Sequence, residues 1–132
     1  MTIKMNPYRE LIDSLSDKLY REIFVEEHIK GLAFQMKTIR TSKGLSQGEL
    51  GRRIGIKQEA ISRLESHKNN GNYLLSTLMK VAKALDVGLT IRFVPFSELI
   101  DIETKMPTMK KMKSFEEEDW GRYDEDDWRK DR

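Results

Sequence analysis

Residues 45–65, LSQGELGRRIGIKQEAISRLE, constrain the fold more than any other stretch, because their apolar and glycine positions suit two short helices meeting at one tight turn. Ser46 can cap the first helix while Glu49, three positions on, reaches back to it as a capping box. Leu50 and Ile54 share that helix's inner face, and Gly51 between them leaves room for a second helix to approach closely. Gly55, just past the last apolar residue, supplies the left-handed conformation that a sharp turn needs, and Ile56 plugs the turn from inside. The second helix, from Lys57 or Gln58 to Glu65, buries Ile61 and Leu64 and turns Gln58, Glu59, Ser62 and Arg63 outward.

Two helices joined this way form a helix-turn-helix, whose outward residues can reach base edges, so double-stranded DNA is the leading partner. The stretch resembles the helix-turn-helix of the phage repressor and Cro group, also called the XRE family. The likeness covers roughly residues 30–88 and rests on the "GLSQ-EL" entry (Gly44 to Gln47, Glu49, Leu50), on Gly55 and on "ISRLE" (Ile61 to Glu65). It implies a lambda-repressor-like helical bundle whose second motif helix lies in the major groove, with Gln58, Glu59 and Arg63 towards the bases. It further implies a phosphate contact for Gln47 and a structural ion pair between Arg40 and Glu65. Lys57 departs from the pattern: many members carry Ser or Thr there as a cap, and a lysine cannot accept a capping bond.

Each outward residue is open to more than one role. Gln58 is either a solvated glutamine at a helix start or a reader of adenine, which it can bond at two atoms. Arg63 can meet a phosphate, meet a guanine, or lie over the surface. Acids are favoured in any first helical turn, so Glu59 is more readily a helix-dipole residue than a cytosine reader. Charge favours a nucleic-acid face. The net charge of +2 conceals 5 basic and 6 acidic groups in residues 1–30, 11 and 4 in residues 31–97, and 8 and 12 in residues 98–132. The basic excess therefore sits on the motif, where Lys37, Lys43, Arg52, Arg53, Lys57, Arg63 and Lys68 would attract phosphates without regard to sequence.

Other chemistry has little support. The chain has no cysteine, so neither a disulfide framework nor a thiolate nucleophile is expected. His28 and His67 stand outside any metal-ligand spacing, and no cofactor is expected. No paired-carboxylate, nucleophile-and-base or phosphate-loop constellation occurs, which argues against an enzyme. Neither a membrane-length apolar run nor a secretory leader is visible, which makes a soluble cytoplasmic protein the expectation.

Outside the motif, Asn6–Pro7 can start a helical arm (residues 1–29) with Tyr8, Leu11, Ile12, Leu15, Leu19, Ile23 and Phe24 on one face. Ser16 can restart it as a second segment from Asp17 through Glu27 that runs on into the helix Ile29 to Ser42. That face requires burial, as a lid on the core or as an arm on a second subunit or partner. After the recognition helix, a polar Asn-Asn-Gly loop precedes a helix from Leu74 to Leu85, whose start can help hold a phosphate through Asn72, Tyr73, Ser76 and Thr77.

Residues 89–104 hold a strand and a short helix. Leu89, Ile91 and Phe93 alternate with Thr90, Arg92 and Val94, predicting one β-strand that ends at Pro95. A lone strand leaves both edges unpaired and invites pairing with a copy of itself, so Leu89, Ile91, Phe93 and Val94 are dimerisation candidates; the alternative is a segment packed on the helices. Ser97 can cap the helix through Leu99, Ile100 and Ile102, which Pro107 would limit. The remainder, 105–132, reads as a charged tail without fixed order, either solubilising, or docking a protein through its aromatics, or competing with DNA through its acids.

The expected protein is thus mainly α: a helix-turn-helix bundle (30–88) with an N-terminal arm and one C-terminal strand, acting as a dimeric repressor on a palindromic operator. The alternatives are an antitoxin that binds a toxin and represses its own operon, since many antitoxins resemble this domain, and an accessory protein in which the motif only mediates assembly.

Overall fold

A computed structural model describes residues 6–105 and 112–123. Pro107, the Lys110–Lys111 cluster, the acidic block Asp124 to Asp127 and Trp128 lie outside them. Six α-helices form among the described residues: α1 (Arg9–Leu15), α2 (Lys18–Ser42), α3 (Gln47–Ile54), α4 (Gln58–Leu64), α5 (Leu75–Leu85) and α6 (Phe96–Thr104). Short 3₁₀ turns follow α4 at His67–Asn69 and α6 at Phe115–Glu117 and Gly121–Tyr123.

The break between α1 and α2 falls where a carboxylate can cap a new helix. Asp17, rather than Ser16, supplies the cap, accepting from the Leu19 amide at 2.8 Å. Arg21 then ties the two helices together by donating to the carbonyls of Leu15 (2.9 Å) and Ser16 (3.1 Å). From Lys18 onward α2 runs unbroken for 25 residues, roughly 38 Å at the usual rise, and so crosses residues 29 and 30 without interruption.

Only the second half of α2 enters the core. Met36 and Ile39 pack with Leu50 of α3, Ile61 of α4, and Leu78, Val81 and Leu85 of α5, with Leu32, Ile54, Ile56, Leu64 and Val87 closing the edges. The three- and four-residue spacing in α2 and α5 gives each helix one apolar stripe facing this cluster. The arm is covered only in part: Leu15 is buried, but Ile12, Leu19 and Ile23 remain exposed. The helix outruns the small bundle, so its first half has too few neighbours among the described residues to cover that face. His28 meets Glu103 there, which sets α6 beside α2.

The predicted strand is corrected. Residues 87–95 have no regular structure and join no ladder among the described residues, because a strand is defined by pairing and no second described run lies alongside. Leu89, Ile91 and Phe93 are exposed there. Ser97 also loses its expected role, since α6 starts two residues earlier than a Ser97 cap would allow and Pro95 occupies the cap position. Part of the charged tail is seated on the domain rather than detached from it: Met112 packs against the core cluster.

The turn between α3 and α4 is the tightest point of the fold. Gly55 adopts φ 75°, and the Ile56 amide donates back to the Gly51 carbonyl at 2.9 Å. A Cβ on Gly51 would stand 2.6 Å from the Ile56 carbonyl oxygen, so the close neighbour that requires a glycine is the backbone leading into α4. Gly51→Ala should therefore destabilise the fold by about 1–3 kcal/mol despite alanine's better helix propensity, because backbone cannot rotate out of the way. An unchanged or higher urea midpoint would contradict this packing.

Candidate nucleic-acid interface

The helix-turn-helix pair is locked by one buried ion pair. The Arg40 side chain, in the last turn of α2, is 8% exposed, and that of Glu65, just past α4, is 3% exposed. Arg40 Nε donates to Glu65 Oε2 at 2.6 Å and Nη2 donates to Oε1 at 2.8 Å, a two-pronged match of planar groups. Nη1 donates to the Leu45 carbonyl at 2.6 Å. One guanidinium thus fixes the end of α4 and the loop that enters α3. Hydrogen bonding to Glu65 raises the Arg40 pKa above its ordinary value; desolvation opposes the rise, and Coulomb attraction to the same carboxylate adds to it.

The lock continues outward to the surface. Gln47 Nε2 donates to Glu65 Oε1 at 3.2 Å, and Gln58 Nε2 donates to Gln47 Oε1 at 3.2 Å. Gln47 opens α3 and Gln58 opens α4, so the first residues of the two motif helices are joined side chain to side chain. The chain of contacts runs Arg40, Glu65, Gln47, Gln58, from buried charge to exposed amide. Sequence reasoning assigned Gln47 and Gln58 separate tasks and missed that they touch. The signal was faint: two glutamines, each opening its own helix.

Around Gln58, the side chains of Lys57, Glu59, Ser62 and Arg63 are all exposed. Lys57 stands at the cap position of α4 without a side-chain cap, and the helix proper starts at Gln58. Ser46 caps α3 by accepting from the Glu49 amide at 3.0 Å, which is one half of the expected box. Lys68 and Asn72 are exposed in the loop after α4, where Asn69 Nδ2 donates to the Asn72 carbonyl at 3.2 Å. Ser76 is exposed and Thr77 half-buried in the first turn of α5, a helix that begins without a side-chain cap.

Three expected phosphate contacts are placed differently from the rest. Arg53 is exposed but lies six residues beyond Gln47 on α3, about 9 Å along the axis. Tyr73 packs against the core, and burial pushes its hydroxyl pKa up while hydrogen bonds from Asn69 and the Ala33 backbone work the other way. Lys43 is only 18% exposed, its ammonium lying 3.7 Å from Glu117.

A helix-turn-helix family profile matches residues 36–91, the span from the middle of α2 through the motif and α5. A protein called a hypothetical transcription factor, from Neisseria meningitidis serogroup B, is 32% identical over 83 residues, covering 63% of this chain and 76% of the relative. Antitoxin HipB of Escherichia coli K12 is 40% identical over 60 residues, 46% of this chain and 66% of the antitoxin. Its counterpart from Escherichia coli O6:H1 is 38% identical, and the match covers 62% of it. The chain thus spans just under two thirds of the length of these two antitoxins. No solved structure gives a significant match. The chain belongs to the helix-turn-helix family of the phage repressor and Cro type. Among the described residues no helix is long and apolar enough to cross a membrane.

Arg40→Met leaves the Glu65 carboxylate buried and unpaired and should lower stability by about 3–5 kcal/mol, whereas Arg40→Met with Glu65→Leu should recover much of the loss. Chemical denaturation of the two variants checks this. A double variant as unstable as the single one would place the cost in shape rather than in orphaned charge.

Proposed function

We propose that the protein is a sequence-specific DNA-binding transcription regulator that works by binding alone, without a catalytic step. The observation that carries this is the Gln47–Gln58 contact. It spends one amide hydrogen of Gln58, and among the described residues the second hydrogen and the carbonyl oxygen have no protein partner. One donor and one acceptor in a plane are what adenine's N7 and N6 amino group require in the major groove. Gln58 therefore reads a base, with Glu59, Ser62 and Arg63 as its neighbours on the same surface. Lys57, Lys68, Asn72 and the uncapped start of α5 hold phosphates on either side.

A homodimer on a palindromic operator completes this proposal. Leu89, Ile91 and Phe93 are exposed, Phe93 fully at 107%, on a segment whose backbone makes no ladder within the described residues. Pairing with the same segment of a second copy would cover these side chains and satisfy those backbone groups at once. It would also set two α4 helices on a two-fold axis, about 34 Å apart, to suit half-sites one helical turn apart.

The second reading is an antitoxin that also represses its own operon, favoured by the 40% identity to Antitoxin HipB. Relief of growth arrest when this chain is co-expressed with the product of an adjacent gene would support it.

Selection of bound duplexes from a random pool tests the main proposal. Recovery of an inverted repeat supports it, and recovery of no motif counts against it. Gln58→Ala should cost about 1–3 kcal/mol at one base pair and relax preference there, and equal losses on matched and random DNA would contradict the assignment. Phe93→Glu should shift the protein to a monomer in light scattering and weaken operator binding with it. A dimer that survives this change would mean the subunits meet elsewhere.

A further inference from the structure

Residues 112–123 return to the helix-turn-helix domain and have no part in the proposed base and phosphate contacts. Met112 packs against the core cluster. The Phe115 amide donates to Asp86 Oδ2 at 3.1 Å, at the end of α5. Trp120 folds back over the segment, its Nε1 donating to the Phe115 carbonyl at 3.0 Å and its ring 4.8 Å from that of Phe115. Within this small turn Ser114 Oγ donates to Glu117 Oε1 at 2.7 Å, and the Ser114 amide reaches the same oxygen at 3.4 Å. The carboxylate is therefore held in place rather than swinging on a free side chain. These Ser114 bonds, the hydroxyl's first, hold the Glu117 pKa below the ordinary carboxylate value.

The partner of that charge is Lys43. It ends α2, four residues before Gln47, and is one of the cations the sequence sets aside for DNA phosphate. A carboxylate oxygen and a phosphate oxygen are equivalent acceptors for an ammonium group, and Glu117 already occupies the position at 3.7 Å. We propose that segment 112–123 is an internal competitor of DNA, docked through Met112 and Asp86 so that Glu117 holds Lys43 until a phosphate displaces it. The proposal rests on the DNA-binding reading above. The Glu117 side chain is 62% exposed, so the pair is a weak one. The device therefore tunes affinity and does not block it, and its release adds one phosphate contact to the complex.

The test uses the full chain and a random duplex of about 20 base pairs, with affinity measured by fluorescence anisotropy between about 50 and 200 mM salt. Glu117→Gln should tighten binding about threefold at the low-salt end while leaving the log–log salt dependence within about half a unit of the parent's, because Lys43 meets the same phosphate in both complexes. That gain should vanish in a Lys43→Ala background, which itself should flatten the salt dependence by about one unit. Glu118→Gln removes the same charge one residue away and should give a smaller gain that persists with Lys43→Ala. Hydrogen exchange at the Phe115 amide should quicken when the duplex is added. The proposal is overturned by any of three results: a Glu117→Gln gain no larger than that of Glu118→Gln, a gain that survives loss of Lys43, or a Phe115 amide equally protected with and without DNA. Failure of every variant to bind any duplex would sink the DNA-binding reading and this proposal together, whereas binding that ignores Glu117 sinks this proposal alone.

Discussion

The buried pair of Arg40 and Glu65 is the interaction on which the rest of the molecule depends. Removing two charges from water is costly, and their attraction offsets that cost only when geometry and extra hydrogen bonds are good. Here the guanidinium donates three bonds, two to the carboxylate and one to the Leu45 carbonyl, and the carboxylate accepts a further one from Gln47. Such a pair gives position more than stability. It specifies how the end of α2, the entry to α3 and the end of α4 sit together, and an apolar pair of the same volume would hold them with less discrimination. Because Gln47 is bonded to Glu65 and Gln58 to Gln47, the orientation of an exposed amide is set by a charge buried beneath it.

The apolar core and the turn act on the same geometry from the other side. Leu50 and Ile61 are the most completely buried large side chains, and they face each other across α3 and α4. The contact between backbone at Gly51 and Ile56 brings the two helices closer than side chains would permit. Core packing sets their separation, the turn limits their angle, and the ion pair pins the far end. Three independent constraints on two short helices leave little freedom, as suits elements of 8 and 7 residues that would not persist alone.

Outside this unit lie apolar surfaces that the other described residues do not cover. The first half of α2 keeps Leu19 and Ile23 in solvent, and residues 89–93 do the same with Leu89, Ile91 and Phe93. The charge distribution shows the same division: a basic central region, an acidic C-terminal region, and described points, Arg92 with Glu98 and Lys43 with Glu117, where the two meet. The bundle is thus tightly specified at its centre and less covered at its described margins.

Much of the central unit was legible from local pattern. Ser46, Leu50, Gly55, Ile56 and Ile61 mark a cap, an inner face, a turn and a plug, because each depends on neighbours within a few residues. The break at Leu15, the long helix beyond it and the Arg40–Glu65 pair followed from periodicity and from resemblance. Other contacts between residues far apart in the chain were not legible. The strand expected at Leu89 to Val94 did not form, since pairing needs a second edge that alternation cannot supply. Met112 and Glu117 were read as parts of a detached tail, since composition measures the average cost of ordering a segment and cannot see one methionine finding a core or one carboxylate finding a lysine. The sequence by itself determined the helices and the turn, where the deciding forces act within about one helical turn. Only the tertiary structure decided which amide Gln58 leans on and what lies over Lys43, because those depend on side chains that folding alone brings within hydrogen-bond reach.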